Sequence, residues 1–221
     1  MSGFGAVLFD VDGVLVDSLD AHLSILRDKA VQYGVRAEVP APKELKRMLK
    51  AGTVISPMFE FFRVVGFPPE LARRAEEDYR TEFLTTYRSK PYPGAQALLD
   101  RLKEAKLSLG IVTSNTLENV RASLGSLFDA FSPELVFDTD HPSAPNKVVA
   151  LELAAKNLHI PREQLLFVGD QLSDYTAAKA SGTPFLGVSY GWVFDEGEPG
   201  MDIARSPAEV GDYVLAQRSE R

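Results

Sequence analysis

Five short apolar runs separated by helical stretches constrain this 221-residue chain more than any other feature. They are Ala6–Phe9, Leu107–Val112, Leu135–Phe137, Leu165–Val168 and Phe185–Val188. Each is apolar on nearly every residue rather than on alternate ones, the pattern of strands covered on both faces. Between them Ala95–Ala105, Leu117–Leu127, Lys147–Leu158 and Tyr175–Ser181 read as helices. In the first, Ala97, Leu98, Leu102 and Ala105 share one face. Gly182 follows the last where a left-handed C-terminal cap belongs. This β–α alternation predicts an α/β fold with a parallel, doubly wound sheet.

One block breaks the rhythm. From Leu19 to about Ser89 only helical periodicity is found, with one stripe at Leu23, Leu26 and Ala30 and another at Met58, Phe61, Phe62 and Val65. Alternating charges through Arg73–Arg80 predict a solvated helix face. Flanking hinges are expected at Leu15–Ser18 and Lys90–Pro93. The chain thus divides into a core of residues 1–15 plus 90–221 and an all-helical insert of residues 16–89. In the tail, Met201–Ala204 reads as a short edge strand and Pro207–Gln217 as a closing helix.

Composition excludes several classes of function. A net charge of −7 argues against a nucleic-acid partner, whose phosphates call for a basic surface. With no cysteine there are neither disulfides nor thiolate chemistry. The opening MSGFGAVLFD lacks a basic region before its apolar run, which stops at Asp10, and no stretch is long enough to span a bilayer. A cytoplasmic protein without a membrane partner is the expectation.

In open α/β sheets ligands bind beyond the carboxyl ends of strands. Three such ends carry polar groups here: Asp10-Val11-Asp12-Gly13, Thr113-Ser114-Asn115, and Gly169-Asp170 with Asp174 four residues on. Asp10 and Asp12, two apart on an extended segment, face the same way, and Gly13 permits a sharp turn. Two carboxylates in one pocket can act as nucleophile and proton donor. The alternative is a turn in which they satisfy backbone amides. A calcium loop fits less well, because Gly13 comes too early. Helix capping would account for Asp174 but not for Asp170 directly after LLFVG. Asp10, Asp12 and Asp170 together form the oxygen-rich environment of a hard cation, with Mg2+ the default.

With Asp17-Ser18 behind it, Asp10-Val11-Asp12-Gly13-Val14 resembles the first motif of the haloacid dehalogenase superfamily. Thr113 matches its second motif, and Gly169-Asp170 with Asp174 its fourth. The helical insert, Tyr92-Pro93-Gly94 and Gly182 are similar to the phosphoglycolate phosphatase and β-phosphoglucomutase-like branch, with its Rossmann-like core and small helical cap. The resemblance implies that Asp10 attacks phosphorus to form an aspartyl-phosphate. Asp12 protonates the leaving oxygen, then activates water. Asp10, Asp170 and the Asp12 carbonyl hold Mg2+, with Asp174 a supporting or indirect ligand. Thr113 and the amides of Ser114 and Asn115 hold the phosphoryl group. The implied substrate is a small phosphorylated metabolite; the implied alternative reaction is a phosphosugar mutase. A binding or regulatory protein without turnover is a third reading, disfavoured by the presence of Asp10, Asp12, Thr113 and Asp170 together, since a binder needs no nucleophile beside an acid.

Three carboxylates around a phosphate dianion pose an electrostatic problem, since one pair of unit charges 4 Å apart is worth about 4 kcal/mol at an effective dielectric near 20. A dication and a lysine could offset it. The branch shows Lys-Pro at its third motif; here the text is Ala144-Pro145-Asn146-Lys147, without the proline and about two residues closer to the fourth motif. Lys147 is the choice because it opens a helix, an ordinary solvated lysine being the alternative. His22, and Lys50, Gly52 and Thr53 in Lys50-Ala51-Gly52-Thr53, resemble substrate-contacting cap positions of the branch, against the plainer readings of a structural histidine and an inter-helix turn. Asp138-Thr139-Asp140-His141 invites a metal reading that aspartate-rich loops seldom justify, and Trp192 and Phe194 read as packing residues.

Overall fold

The structure, a computed structural model, describes residues 3–87 and 89–219. The expected core and insert ranges also include Met1, Ser2, Arg88, Glu220 and Arg221, which lie outside the described residues. In chain order the elements that matter are β1 (Ala6–Phe9), β2 (Val16–Asp17), α1 (Leu19–Tyr33), α2 (Pro42–Lys50), α3 (Met58–Val64), α4 (Pro69–Thr86), β3 (Lys90–Pro91), α5 (Ala95–Glu104), β4 (Ser108–Val112), α6 (Leu117–Leu124), β5 (Val136–Phe137), α7 (Lys147–Leu158), β6 (Leu165–Gly169), α8 (Leu172–Ser181), β7 (Phe185–Val188), β8 (Ile203–Ala204) and α9 (Pro207–Ser219).

Six of these strands form one parallel sheet in the order β5-β4-β1-β6-β7-β8. The continuously apolar runs are explained by cover on both faces. Val7 and Phe9 point into one cluster with Leu98, Leu102 and Val214, while Ala6 and Leu8 point into another with Leu151, Ala154 and Ala178. All four β1 side chains are fully buried. Burying a side chain of the Val, Leu or Phe class contributes roughly 1.5–3 kcal/mol. The chain-order reversal beside β1 puts the ends of β4, β1 and β6 next to one another, where a doubly wound sheet binds ligands.

The expected elements differ from the observed ones mostly at their ends. The helix expected over Leu117–Leu127 stops at Leu124, and Gly125–Ala130 continues as 3-10 turns. The last core helix starts at Leu172 rather than Tyr175. The tail strand is confined to Ile203–Ala204, pairing parallel with β7. Sequence periodicity missed the short antiparallel ribbon in which Val16 pairs with Pro91 and Asp17 with Lys90. Two residues per strand are too few to show a period, yet they tie together the two connections into the helical block.

Helices α1–α4 surround a separate apolar cluster built on Leu23, Leu26, Phe61, Phe62, Ala75 and Phe83. Trp192, Val193 and Phe194, from the loop after β7, enter the same cluster. At the centre of α1 the Lys29 side chain is 1% exposed, its Nζ 2.9 Å from Asp78 Oδ2 and 2.6 Å from Glu82 Oε2 on α4. Among the described residues no helix is long and apolar enough to cross a membrane.

Candidate active site

β1 ends at Phe9, and the next residue, Asp10, is buried. One of its oxygens, Oδ1, accepts the Val11 amide at 2.9 Å. The other, Oδ2, lies 3.0 Å from Lys147 Nζ. Burial pushes the Asp10 carboxyl up to about 7; Lys147 pulls against this shift, while Asp174 and Asp12 add to it. Lys147 opens α7 behind an N-cap, Asn146, whose side chain accepts the Val149 amide at 3.1 Å. Burial favours loss of the Lys147 proton, but Asp10 and Asp174 outweigh it and raise its pKa above the ordinary lysine value. The ammonium therefore stays charged beside the nucleophile candidate, despite the missing proline.

Asp170 follows β6 and is fully buried. Its Oδ2 accepts the Trp192 amide at 2.7 Å, whereas its Oδ1 is buried without a hydrogen-bond partner. Burial, then the charges of Asp174 and Asp10, push its carboxyl well above the usual range. The backbone crowds it closely. Gly13, at φ +79°, and Gly191 both stand where a Cβ would overlap Asp170. Oxygens of Asp10, Asp170 and Asp174 lie within 4.8 Å of one another. An orphaned carboxylate oxygen in such a cluster fits a hard cation that restores the missing bond and holds the acids ionised.

Asp174 divides its two oxygens. Oδ2 accepts the amides of Asp170 and Gln171 at 3.2 and 3.1 Å, completing a capping box with Gln171 at the start of α8. Oδ1 accepts from Lys147 Nζ at 2.6 Å. Capping, the plainer of its two readings, is thus one of its roles, and orienting Lys147 is another.

From the end of β4, Thr113 and Asn115 turn inward. Asn115 Nδ2 donates to Asp12 Oδ2 at 2.8 Å, and its Oδ1 accepts from Thr116 N and Asn119 Nδ2. The Asn115 amide, expected to meet a phosphoryl group, instead donates to Thr113 Oγ1 at 3.2 Å. The tight turn after β4 folds that amide back, leaving the side chain of Asn115 to aim the Asp12 carboxylate.

An open cleft joins Asp10, Asp12, Thr113, Ser114, Asn115 and Lys147 to His22, Ile55, Ser56, Pro57, Met58, Phe61, Glu76, Tyr79 and Arg80 from the helical block, and to Trp192. His22 lines it, yet is 5% exposed and firmly tied. The carbonyl of Ser18 can only accept, so His22 Nδ1 donates to it at 2.8 Å. In the neutral ring Nε2 then accepts from the Tyr79 hydroxyl at 3.2 Å. Lys50, Gly52 and Thr53 do not line this cleft. Lys50 pairs with Asp195 at 2.5 Å and with Glu198, because α2 runs toward the loop after β7. Ser56, Glu76, Tyr79 and Arg80, which sequence reasoning did not single out, take the positions expected of the Lys50 loop. The signal of Glu76, Tyr79 and Arg80 was present only as one face of α4, and Ser56 lies just before α3.

Among the described residues the Asp138–His141 loop forms no metal cluster. Asp138 Oδ2 accepts the Leu117 amide at 3.2 Å, His141 packs on Phe137, and Asp140 pairs with Arg80.

Residues 7–188 match the model of the haloacid dehalogenase-like hydrolases. The chain is 29% identical over 221 residues to an N-acetylmuramic acid 6-phosphate phosphatase of Pseudomonas aeruginosa, covering 95% of this chain and 94% of that protein. It is 31% identical over 202 residues to a phosphoglycolate phosphatase of Xylella fastidiosa, covering 87% and 83%. In fold it is similar to a haloacid dehalogenase-like hydrolase from Streptococcus pneumoniae, with a TM-score of 0.77 at 22% identity over 95% of this chain and 98% of that one.

Proposed function

Since this chain belongs to the haloacid dehalogenase-like hydrolase family, we propose that it hydrolyses a small phosphomonoester through a phosphorylated Asp10. The observation that carries this reading is the convergence of Asp10, Asp12, Thr113 and Lys147 on one cleft. The substrates named for its relatives, phosphoglycolate and N-acetylmuramic acid 6-phosphate, both join a phosphomonoester to a carboxylate. A small ester of that kind is the class assigned to this chain.

In the first step the Asp10 carboxylate attacks phosphorus and the P–O bond to the alcohol breaks. Asp12, aimed by Asn115, gives its proton to the departing oxygen, so that a neutral alcohol leaves. In the second step Asp12 takes a proton from water, whose oxygen attacks phosphorus; the acyl-phosphate bond breaks, releasing inorganic phosphate and restoring Asp10. The Thr113 hydroxyl and the Ser114 amide hold the phosphoryl oxygens, and Lys147 balances charge that grows on them.

Mg2+ suits the acidic cluster, held by the carboxylates of Asp10 and Asp170 and the carbonyl of Asp12. When bound it supplies positive charge against which the phosphate dianion can approach. Asp174 serves that site by fixing Lys147 and the start of α8. Residues 16–89 act as a cap that closes the cleft against bulk water, a role supported by the apolar cluster that α1–α4 share with the loop after β7 and by the ribbon at their base.

The test is a panel of small phosphate esters assayed for released phosphate with and without Mg2+. Metal-dependent release supports hydrolysis. Recovery of an isomerised sugar phosphate in place of free phosphate would make the protein a mutase, and no turnover on any ester would make it a binding protein.

A further inference from the structure

We propose that Arg80 is the specificity-determining residue of the cleft, and that it selects phosphomonoesters whose other end carries a carboxylate. This rests on the phosphatase reading above and deepens it.

Among the described residues, two Lys or Arg side chains line the cleft, Lys147 and Arg80. Lys147 is committed to the reacting end, held by Asp10 and Asp174. Arg80 comes from α4 in the helical block, with Tyr79 beside it in sequence and Glu76 one turn earlier. Its guanidinium has one weak tie, a 3.2 Å pair with Asp140 in which both side chains are about half exposed. Exposed pairs of that kind are worth about 0–1 kcal/mol, so a ligand carboxylate can displace Asp140 at little cost. A planar guanidinium also matches a carboxylate with two parallel hydrogen bonds.

The rest of the lining is partly apolar: Ile55, Pro57, Met58, Phe61 and Trp192 share the cleft with Arg80. Glu76, the acid on the same helix, accepts the Phe59 amide at 3.2 Å and is thereby engaged in holding the start of α3. Of the two charged side chains that α4 brings to the cleft among the described residues, Arg80 is thus the one that a substrate carboxylate can pair with. A neutral ester leaves that charge to Asp140, and an ester ending in an amine meets repulsion.

The experiment uses three esters of similar size: phosphoglycolate, ethyl phosphate and phosphoethanolamine. The wild type should prefer them in that order by kcat/KM. Arg80→Gln should lower the ratio of phosphoglycolate to ethyl phosphate by about 10- to 100-fold, the usual worth of a charge-assisted pair. Asp140→Asn should raise the same ratio, because the guanidinium loses its competitor. If the Arg80–Asp140 pair merely held the helical block closed, the two variants would move together and the ratio would not change, which would overturn the proposal. A wild-type preference for phosphoethanolamine would overturn it by giving selection to Glu76. Turnover of ethyl phosphate by the wild type keeps the phosphatase reading standing whichever way the ratio falls; absence of turnover on all three esters would sink that reading itself.

Discussion

Lys147 Nζ lies 3.0 Å from Oδ2 of Asp10, with both side chains almost wholly withdrawn from water. Asp174 Oδ1, 2.6 Å from the same nitrogen, holds it there. In the proposed reaction an ammonium so placed would neutralise charge on the transferring phosphoryl group. Lys147→Ala is expected to lower kcat by about 10²–10³-fold and to weaken inhibition by inorganic phosphate. Lys147→Arg should rescue poorly, since a planar fork does not fit between two converging carboxylates. Steady-state kinetics on the three proteins check this, and indistinguishable kcat values would return Lys147 to a structural role.

Asp10→Asn should fold normally and lose activity by about 10³-fold or more, because an amide cannot replace the nucleophile. Beryllium fluoride with Mg2+, a mimic of the phosphorylated aspartate, should raise the melting temperature of the wild type but not of the variant. A variant that keeps a tenth of the wild-type rate would rule out covalent catalysis at this position.

Chelation should abolish activity, and Mg2+ should restore it better than Ca2+, which prefers more ligands and looser geometry. The metal should also raise the melting temperature in the absence of substrate, by preferential binding to the folded state. Asp170→Asn should remove that rise, since Asp170 presents the unpartnered oxygen. Undiminished activity in excess EDTA would take the metal out of the reaction.

The Lys29 cluster should govern the stability of the helical block. Lys29→Met is expected to cost about 1–3 kcal/mol, at the low end for a broken buried pair because Asp78 and Glu82 still reach water. Burial would raise the Asp78 carboxyl, but the Tyr33 hydroxyl and Lys29 outweigh it and hold it below the ordinary 3.8. A folded value below the unfolded one stabilises at pH above 3.8, and this stabilisation is lost as pH falls through the folded value. Asp78→Asn should therefore be less stable than wild type at neutral pH, and the difference should shrink below about pH 4. Urea midpoints from pH 7 to 3 measure it; a constant difference would mean the pair contributes no charge-dependent stability.

Much of the core was legible because its signals are local. Unbroken apolar runs such as Ala6–Phe9 announce strands covered on both faces, and polar residues just past such runs announce the end at which ligands bind. Asp10, Asp12, Thr113 and Asp170 could be named on that ground, before any knowledge of which strands are neighbours. Strand order came from the tertiary structure alone. Only when β4, β1 and β6 lie side by side do Thr113, Asp10 and Asp170 meet, and nothing within a single strand encodes its partner.

The same distinction explains the differences. Asp174 carries two functions because capping is a local contact, visible from Gln171 onward, whereas its bond to Lys147 depends on how α7 and α8 pack. Lys50 was expected at the substrate because its loop resembles a cap loop, but the direction of α2 sends it to Asp195 and Glu198. Arg80 sits in a run of charges that marks a solvated face, and the packing of α4 against α1, α3 and α6 turns one edge of that face into the cleft. By itself the sequence determined which residues could do chemistry, since residue type and spacing along a strand are local properties. The tertiary structure decided which of them share a site, because proximity between elements depends on how their apolar faces pack.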